Sequence, residues 1–258
     1  MNEAEVRGKL RTKFFGRELY HYESVGSTND VAKKLPQDTP EGTIVVADEQ
    51  TAGRGRLGRR WQSARGESLT FSIILRPEIL QKHLGMMSLY ASLAVAETIK
   101  EVTGIRPECK WPNDVLIGGK KCCGILSEST FERDRCTGII VGIGININQA
   151  DFPGELSSTA TSLYQIRKAC FSVSEILSVL LYTMEQFYPM IQQQRYEEIR
   201  SGWLQFAPMM GKAVTISTPG TVFHGIAGRI EKTGELVLLC EGKELRFSSG
   251  DLTVRIEG

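Results

Sequence analysis

Three glycines, four arginines and a tryptophan fall within nine positions, Gly53-Arg54-Gly55-Arg56-Leu57-Gly58-Arg59-Arg60-Trp61. Glycine lets a backbone take positive φ and approach a ligand closely. Arginine offers a permanently charged planar fork that matches phosphate and carboxylate. A loop of this make-up is suited to gripping an anion, with phosphate the first candidate. The same glycines spell G-x-G-x-x-G, the dinucleotide fingerprint, which requires a strand directly before it and a helix directly after it. Here Asp48–Ala52 separate the loop from the strand candidate Thr43–Ala47, and Arg59–Ser68 has no apolar face at helical spacing. A nicotinamide-type reading therefore rests on glycine spacing alone. The plain alternative is a solvated basic loop, and the interleaved glycines and the tryptophan speak against it.

Four further clusters carry chemistry. Ser27-Thr28-Asn29 stands where a helix should begin. Short polar side chains beside free backbone N–H groups there can hold a polar head group or a carboxylate, or can serve as a plain N-cap. Lys110-Trp111-Pro112-Asn113-Asp114 puts an amide and a carboxylate beside an aromatic ring. Asn113 is suited to an adenine edge and Asp114 to Mg²⁺, but most of these residues also favour turns. Lys120-Lys121 follows Asp114 across a Gly118-Gly119 turn, so one lysine should face inward and meet Asp114 from the adjacent strand. In Gly142-Ile143-Gly144-Ile145-Asn146, alternate glycines strip one strand face of side chains, so that a flat group or a packed helix can approach.

Together these residues provide an anion grip, a base-and-metal candidate, an inward lysine and a bare strand face. They provide no clear Ser–His–Asp or Cys–His nucleophile and no G-x-x-x-x-G-K-[ST] phosphate loop. Phosphate chemistry without either suggests adenylation: a substrate carboxylate attacks the α-phosphate of ATP while arginine, lysine and Mg²⁺ stabilise the developing charge.

The elements that must position these residues can be read from periodicity. Helices are expected at Asn2–Arg11, from Ser27 to Pro36, at Leu84–Val102 closed by Gly104, at Val173–Phe187 and at Gln194–Phe206. Strands are expected at Leu19–Glu23, Thr43–Ala47, Leu69–Leu75, Val115–Ile117, Lys121–Glu128 and Thr137–Ile147, and Gln149–Thr161 reads as a loop. After Pro208, short strands at Lys212–Ile216, His224–Ile230, Glu235–Cys240, Lys243–Phe247 and Leu252–Ile256 suggest a small all-β barrel. The fold class is then α+β, a mixed sheet packed with helices plus that module, with domains at residues 1–208 and 209–258.

The chain has 258 residues, 41% hydrophobic and 24% charged, with a net charge of +1. Such a balance does not advertise a nucleic-acid partner. No apolar run reaches the ~18 residues of a membrane span. The charged start MNEAEVRGKLRTKFF is not a secretion signal, which favours the cytoplasm. The six cysteines form no C-x-x-C pair and read as reduced core or strand residues.

Five motifs in this order resemble the biotin protein ligases: Ser27-Thr28-Asn29; Gln50 with Gly53–Trp61; Lys110–Asp114; Lys121 with Gly124-Ile125; and Gly142–Asn146. The resemblance spans roughly residues 18–258. It implies a biotin/lipoate ligase-like catalytic domain and a C-terminal SH3-like barrel. The implied reaction joins biotin and ATP into biotinyl-5′-AMP with release of pyrophosphate. Biotin then passes to a lysine of a biotin carboxyl carrier protein or domain, with release of AMP. The resemblance assigns biotin contacts to Ser27, Thr28, Asn29, Gln50, Gly53, Arg54, Arg56, Lys121, Gly124, Ile125, Gly142 and Gly144. It assigns ATP contacts to Arg54, Arg56, Trp61, Asn113, Lys121 and Asn146, and catalysis to Arg54, Arg56, Lys121 and Asp114, with Asp114 also a Mg²⁺ ligand. The arginine loop and a second loop near Asp151–Thr161 would close over the adenylate.

Some members of the family carry an N-terminal helix-turn-helix domain. Only 26 residues precede Ser27 here, so the expectation is a short form without specific DNA binding. A lipoate or octanoate ligase, and a non-catalytic biotin sensor, are the neighbouring readings. Monomer and homodimer both stay open, since an exposed edge such as Thr137–Ile147 could pair two copies.

Overall fold

The computed structural model describes residues 3–132 and 135–254. The chain begins with α1 (Glu3–Lys9), β1 (Leu19–Val25), α2 (Thr28–Lys34), β2 (Ile44–Gln50) and β3 (Ser68–Leu75). The long helix α3 (Gly85–Thr103) leads to β4 (Glu108–Lys110), β5 (Asp114–Ile117), β6 (Lys120–Glu132) and β7 (Arg135–Asn146). Then come α4 (Leu156–Thr159), α5 (Leu163–Arg167), α6 (Val173–Gln192) and α7 (Tyr196–Leu204). Strands β8 (Ala213–Thr218), β9 (Thr221–Ile230), β10 (Leu236–Cys240), β11 (Lys243–Phe247) and β12 (Asp251–Val254) end the described chain. Ile256, expected in the last strand, lies outside the described residues.

A seven-stranded sheet in the order β1-β2-β3-β7-β6-β5-β4 carries the site. β1 and β2 are parallel and the remaining neighbours antiparallel, the mixed sheet expected of an α+β fold. All eight residues of β3 are buried, because α2 covers one face of the sheet while α3 and α6 cover the other. Gly104 closes α3 in the left-handed conformation at φ 67°, as a C-terminal glycine does.

Several sequence expectations change. β7 is not an exposed edge: β3 pairs with it on one side and β6 on the other. Its isoleucines are buried because both faces of the sheet are covered, so the free edges belong to β1 and β4. Asp48-Glu49-Gln50, left outside the strand candidate Thr43–Ala47, belong to β2. The segment 149–161 is not wholly loop, since it contains the short helix α4.

The C-terminal strands form a five-stranded sheet in the order β11-β10-β9-β8-β12, with no β11–β12 ladder among the described residues. It is an open sheet rather than the closed barrel expected. Exposed Lys243, Glu244 and Arg246 line β11, and a charged edge of this kind tolerates solvent without a partner.

Trp111 fastens this sheet to the larger part of the chain. Its indole is buried and donates a hydrogen bond from Nε1 to Gly234 O at 3.0 Å. Arg200 Nη1 donates to Ile230 O at 2.9 Å. A methyl group on Gly85 would lie 2.7 Å from Thr233 O, so the start of α3 and the β9–β10 turn touch backbone to backbone. Trp111 is therefore an anchor in the core rather than a ring offered to a ligand.

Cys109, Cys122 and Cys123 are buried, and Cys136 and Cys240 are partly so. Cys170 departs from the core expectation by being exposed.

Candidate active site

The β5–β6 hairpin sets the first wall. Gly118 and Gly119 take φ 57° and 76°, the paired positive angles of the tightest two-residue turn. That turn brings Lys121 Nζ to 2.6 Å from Asp114 Oδ1, while Lys120 stays exposed. Asn113 ties the same wall together. Its Nδ2 donates to Ile125 O at 2.6 Å, and its backbone O accepts from Ile125 N at 3.0 Å.

The second wall is the face of β6 and β7 shared by Gly124, Gly142 and Gly144, with Gly124 opposite Gly144 and Leu126 opposite Gly142. A methyl group on Gly144 would lie 2.6 Å from Trp61 Nε1, and one on Gly124 would lie 3.1 Å from Trp61 Cζ3. One on Gly142 would lie 3.0 Å from Asn29 Cγ. The bare face is needed because Trp61 and Asn29 rest against it. Trp61 Nε1 is buried without a hydrogen-bond partner, and Lys121 Nζ sits 5.9 Å from the centre of the indole.

A polar net closes the third side. Gln50 Oε1 accepts from Thr28 N at 2.8 Å and from Thr28 Oγ1 at 3.2 Å. The start of α2 is thus capped by Gln50 from β2. Ser27 occupies the cap position without a side-chain capping bond, unlike the plain N-cap reading. Ser72 Oγ lies 2.5 Å from Asn29 Oδ1 and 2.7 Å from Thr28 Oγ1. Asn29 Nδ2 donates to Glu128 Oε2 at 2.7 Å, and Lys33 Nζ donates to Glu128 Oε1 at 2.6 Å. Burial alone would raise the Glu128 pKa, but the hydrogen bonds from Lys33 and Asn29 and the charges of Lys33 and Arg54 bring it below the usual value.

The arginine loop arches over these walls as a small hairpin. Trp61 N donates to Gly53 O at 3.0 Å, and Arg54 bridges to Arg60. Leu57 at its tip holds φ 55°, a conformation uncommon outside glycine. Arg54 pairs with Asp30 at 2.5 Å, Arg59 pairs with Asp251 of β12, and Arg60 donates to Thr51 O at 2.8 Å. Arg56 differs from Arg54 and Arg59. Its Nη1 donates to the neutral Asn113 Oδ1 at 3.3 Å, and no carboxylate ion-pairs with it among the described residues. Burial lowers its pKa, opposed by the more distant charges of Asp114 and Asp251. A half-desolvated guanidinium without a close counter-charge is well placed to attract an incoming anion.

The glycine-stripped face, the Thr28–Asn29–Gln50 part of the net, the β5–β6 wall and the arginine loop line one cleft of about 760 Å³. Of the expected residues, Ser27, Thr28, Asn29, Gln50, Arg54, Arg56, Trp61, Asn113, Asp114, Lys121, Gly124, Ile125, Gly142, Gly144 and Asn146 line it. Gly53 is not in the lining. Its lack of a side chain serves loop closure, since a methyl group there would lie 2.5 Å from Trp61 O. Asn146 is buried and committed to the protein: Nδ2 donates to Thr161 O at 3.0 Å and Oδ1 accepts from Gln149 Nε2 at 3.3 Å. Phe152, Glu155 and the α4 residues form the opposite rim, and Lys121 O holds that rim by accepting from Thr161 N at 2.9 Å.

Asp30, Ser72, Glu128 and Asp251 were not among the expected site residues. Each lies far in sequence from the residue it holds, and no local pattern marks any of them. Asp114 does not fit a resident metal centre. Its Oδ1 faces the Lys121 ammonium, and among the described residues no group of three or more His, Cys, Asp or Glu side chains could hold a metal ion.

Residues 22–146, which run from β1 to the end of β7, match the biotin/lipoate A/B protein ligase family. The chain is 39% identical over 241 residues to the bifunctional ligase/repressor BirA of Bacillus subtilis, covering 92% of this chain and 74% of that protein. It is 31% identical to the biotin–[acetyl-CoA-carboxylase] ligase of Mycobacterium tuberculosis, covering 98% of this chain and 95% of that one. The biotin protein ligase of Aquifex aeolicus, solved in complex with biotin and ATP, superposes with a TM-score of 0.81 at 31% identity, covering 93% of this chain and all of that one. The matched residues 22–146 contain the glycine-stripped face and the arginine loop, and this chain belongs to the biotin protein ligases.

Proposed function

We propose that this chain is an ATP-dependent biotin protein ligase that makes biotinyl-5′-AMP and passes biotin to a lysine of a biotin carboxyl carrier domain. One observation carries the reading: a bare strand face, a polar net and a cationic loop meet in a single cleft. The biotin ring system takes the part of the cleft bordered by Asn29 and Trp61, which the glycine-stripped face seats. Thr28, Asn29 and Gln50 supply hydrogen bonds to its ureido group, and the backbone of Gly124-Ile125 borders the same space. Ser27, at the mouth of this net, completes it.

In the first step a biotin carboxylate oxygen attacks the α-phosphorus of ATP. The bond from that phosphorus to the bridging oxygen breaks, and pyrophosphate leaves with the electron pair. Arg56 and Lys121 face the growing charge, and donors fixed in advance stabilise it without reorganising. Asp30 and Glu128 hold Arg54 at the cleft wall, beside the carboxylate. Asn113 steers Arg56. Mg²⁺ brought with the nucleotide would offset phosphate charge, and no residue of the cleft is assigned to hold it, because Asp114 faces the Lys121 ammonium.

In the second step the neutral amine of the acceptor lysine attacks the acyl carbon, the acyl–phosphate bond breaks, AMP departs with the electron pair and the nitrogen gives up one proton to solvent. Asp114 accepts a hydrogen bond from the incoming amine while Lys121 balances its charge. The arginine loop and the Phe152–Ala160 rim close over the adenylate, because an acyl adenylate hydrolyses when water reaches it. The cytoplasm suits this chemistry by supplying both ATP and carrier.

Mass spectrometry tests the reading. A carrier domain incubated with the chain, biotin, ATP and Mg²⁺ gains one biotin on one lysine. A carrier that stays unmodified under these conditions overturns it.

A further inference from the structure

Gly142 stands in the middle of a cross-strand row, with Ser72 of β3 opposite it on one side and Leu126 of β6 on the other. Glu128, two residues along β6 from Leu126, returns to the same face of the sheet. The missing side chain at Gly142 leaves room for the Asn29 amide, which bonds the serine at one end and the carboxylate at the other. Thr28 and Asn29 are buried and Ser72 has no exposed surface. In such surroundings each hydrogen bond polarises the next.

The groups of this row constrain one another. An ionised carboxylate accepts and cannot donate. Glu128 Oε2 therefore takes the Asn29 amide by its nitrogen, at 2.7 Å. The same nitrogen makes a longer contact with Leu126 O, at 3.4 Å. Asn29 Oδ1 is thereby turned to Ser72 Oγ at 2.5 Å. The Ser72 hydroxyl carries one proton, and the amide oxygen, which has none, takes it. Ser72 Oγ also lies 2.7 Å from Thr28 Oγ1, and with its own proton committed it can only accept there. The Thr28 proton is then spent inside the net, on Ser72 or on Gln50 Oε1 at 3.2 Å. Thr28 is left to show the cleft a lone pair. Lys33 Nζ at 2.6 Å from Oε1 and Arg54 Nη2 at 3.7 Å from Oε2 keep the carboxylate ionised.

We propose that Glu128 is a positioning residue for ring recognition: acting through Asn29 and Ser72, its carboxylate fixes Thr28 Oγ1 as a hydrogen-bond acceptor, so that the cleft selects a ring offering N–H there. The inference deepens the ligase reading and rests on it for the ligand, a cyclic urea. A urea N–H meets the lone pair. A ring with its own lone pair at that place, or one of carbon and sulfur, leaves a buried acceptor unpaired, and sites of this kind reject such ligands strongly.

Calorimetric affinities for biotin and for the two cyclic carbamates that carry oxygen in place of one or the other ureido N–H test the relay. In Glu128→Gln the Lys33 ammonium claims the new amide oxygen, which leaves the amide nitrogen facing Asn29. Asn29 then turns its oxygen to that nitrogen, the relay reverses, and Thr28 is released to donate into the cleft. The wild type should prefer biotin over one of the carbamates by about 10²-fold or more. Glu128→Gln should cut that preference about tenfold. Ser72→Ala, which breaks the relay with the carboxylate in place, should cut it by a similar factor, and the double variant no further. A purely structural role would lower all three affinities together, so a wild-type ratio for both carbamates in either single variant, shown by thermal melts to be folded at the assay temperature, overturns the proposal. Two readouts separate this inference from the ligase reading. Biotin-dependent pyrophosphate release with unchanged ratios refutes the relay and leaves the ligase standing. If the wild type neither binds biotin nor releases pyrophosphate with it, the ligase reading fails, and the relay is read from unfolding free energies without ligand. There the losses from Glu128→Gln and Ser72→Ala, whose side chains meet through Asn29, are non-additive if the relay exists, and simple addition refutes it.

Discussion

Lys121 Nζ lies 2.6 Å from Asp114 Oδ1 across a two-glycine turn. The pair keeps an ammonium on the cleft wall before substrate arrives, and the turn fixes its position. Preorganised charge of this kind acts in the transition state more than in the ground state. Lys121→Ala should slow adenylate formation by about 10²–10³-fold, while biotin affinity measured by calorimetry changes by less than about threefold. Equal losses in rate and affinity would make Lys121 a pocket or structural residue.

Arg56→Ala should abolish retention of the adenylate at little cost in stability. The side chain fills no core position, and its charge is held against a desolvation penalty. The expected change in unfolding free energy is under about 1 kcal/mol. Gel filtration with labelled biotin and ATP measures retention, and wild-type retention would remove Arg56 from the anion grip.

Gly144→Ala and Gly142→Ala place a methyl group against Trp61 and Asn29 respectively. Both should weaken biotin binding by at least about tenfold, because the polar net and the indole must shift by roughly an ångström, which costs about 1–3 kcal/mol. Gly138→Ala in the same strand is the control. Its methyl group would meet Thr130 Oγ1 at an ordinary 3.5 Å, so biotin affinity should be unchanged.

Glu128 gives a pH-dependent signature. Its folded pKa lies below the usual 4.5, so the unfolded chain takes up the proton more readily. The stability it contributes is full above that value and is lost as pH falls through the lower folded one. Glu128→Gln should melt below wild type at pH 7, and the gap should narrow toward pH 4. A gap of constant size across this range would contradict the charged network.

Thiol reactivity should separate the cysteines. Burial pushes Cys122 up to about 12 and raises Cys109 and Cys123 as well, so these three stay protonated and unreactive in the folded chain. Cys170 is exposed and should be labelled first by a thiol reagent. Rapid native labelling at Cys122, mapped by peptide mass, would contradict the packing of β6.

Much of the site could be read from local pattern. The Gly118-Gly119 turn predicted that a lysine would face Asp114, and the spacing of Gly142 and Gly144 predicted a stripped face. What covers that face could not be read, because Trp61 and Asn29 reach it from distant segments. The same limit hid Asp251 behind Arg59 and Glu128 behind Asn29. The sequence placed Trp111 beside Asn113 and Asp114 without giving it a role, because its burial against Gly234 is a tertiary fact. β7 looked like a free edge because the apolar run Ile139–Ile147 reads alike in an edge and a central strand, and only its pairing with both β3 and β6 decides. Among the described residues the C-terminal strands do not close into a barrel, for a related reason: strand signals say where strands fall, but closure depends on the two end strands meeting.

The most direct measurement is pyrophosphate release from ATP and Mg²⁺ with biotin, lipoate or octanoate as the single added acid. A burst with biotin alone, followed by steady turnover when a carrier domain is added, is the predicted result. A burst with lipoate or octanoate in place of biotin, or tight biotin binding with no burst from any acid, would contradict it.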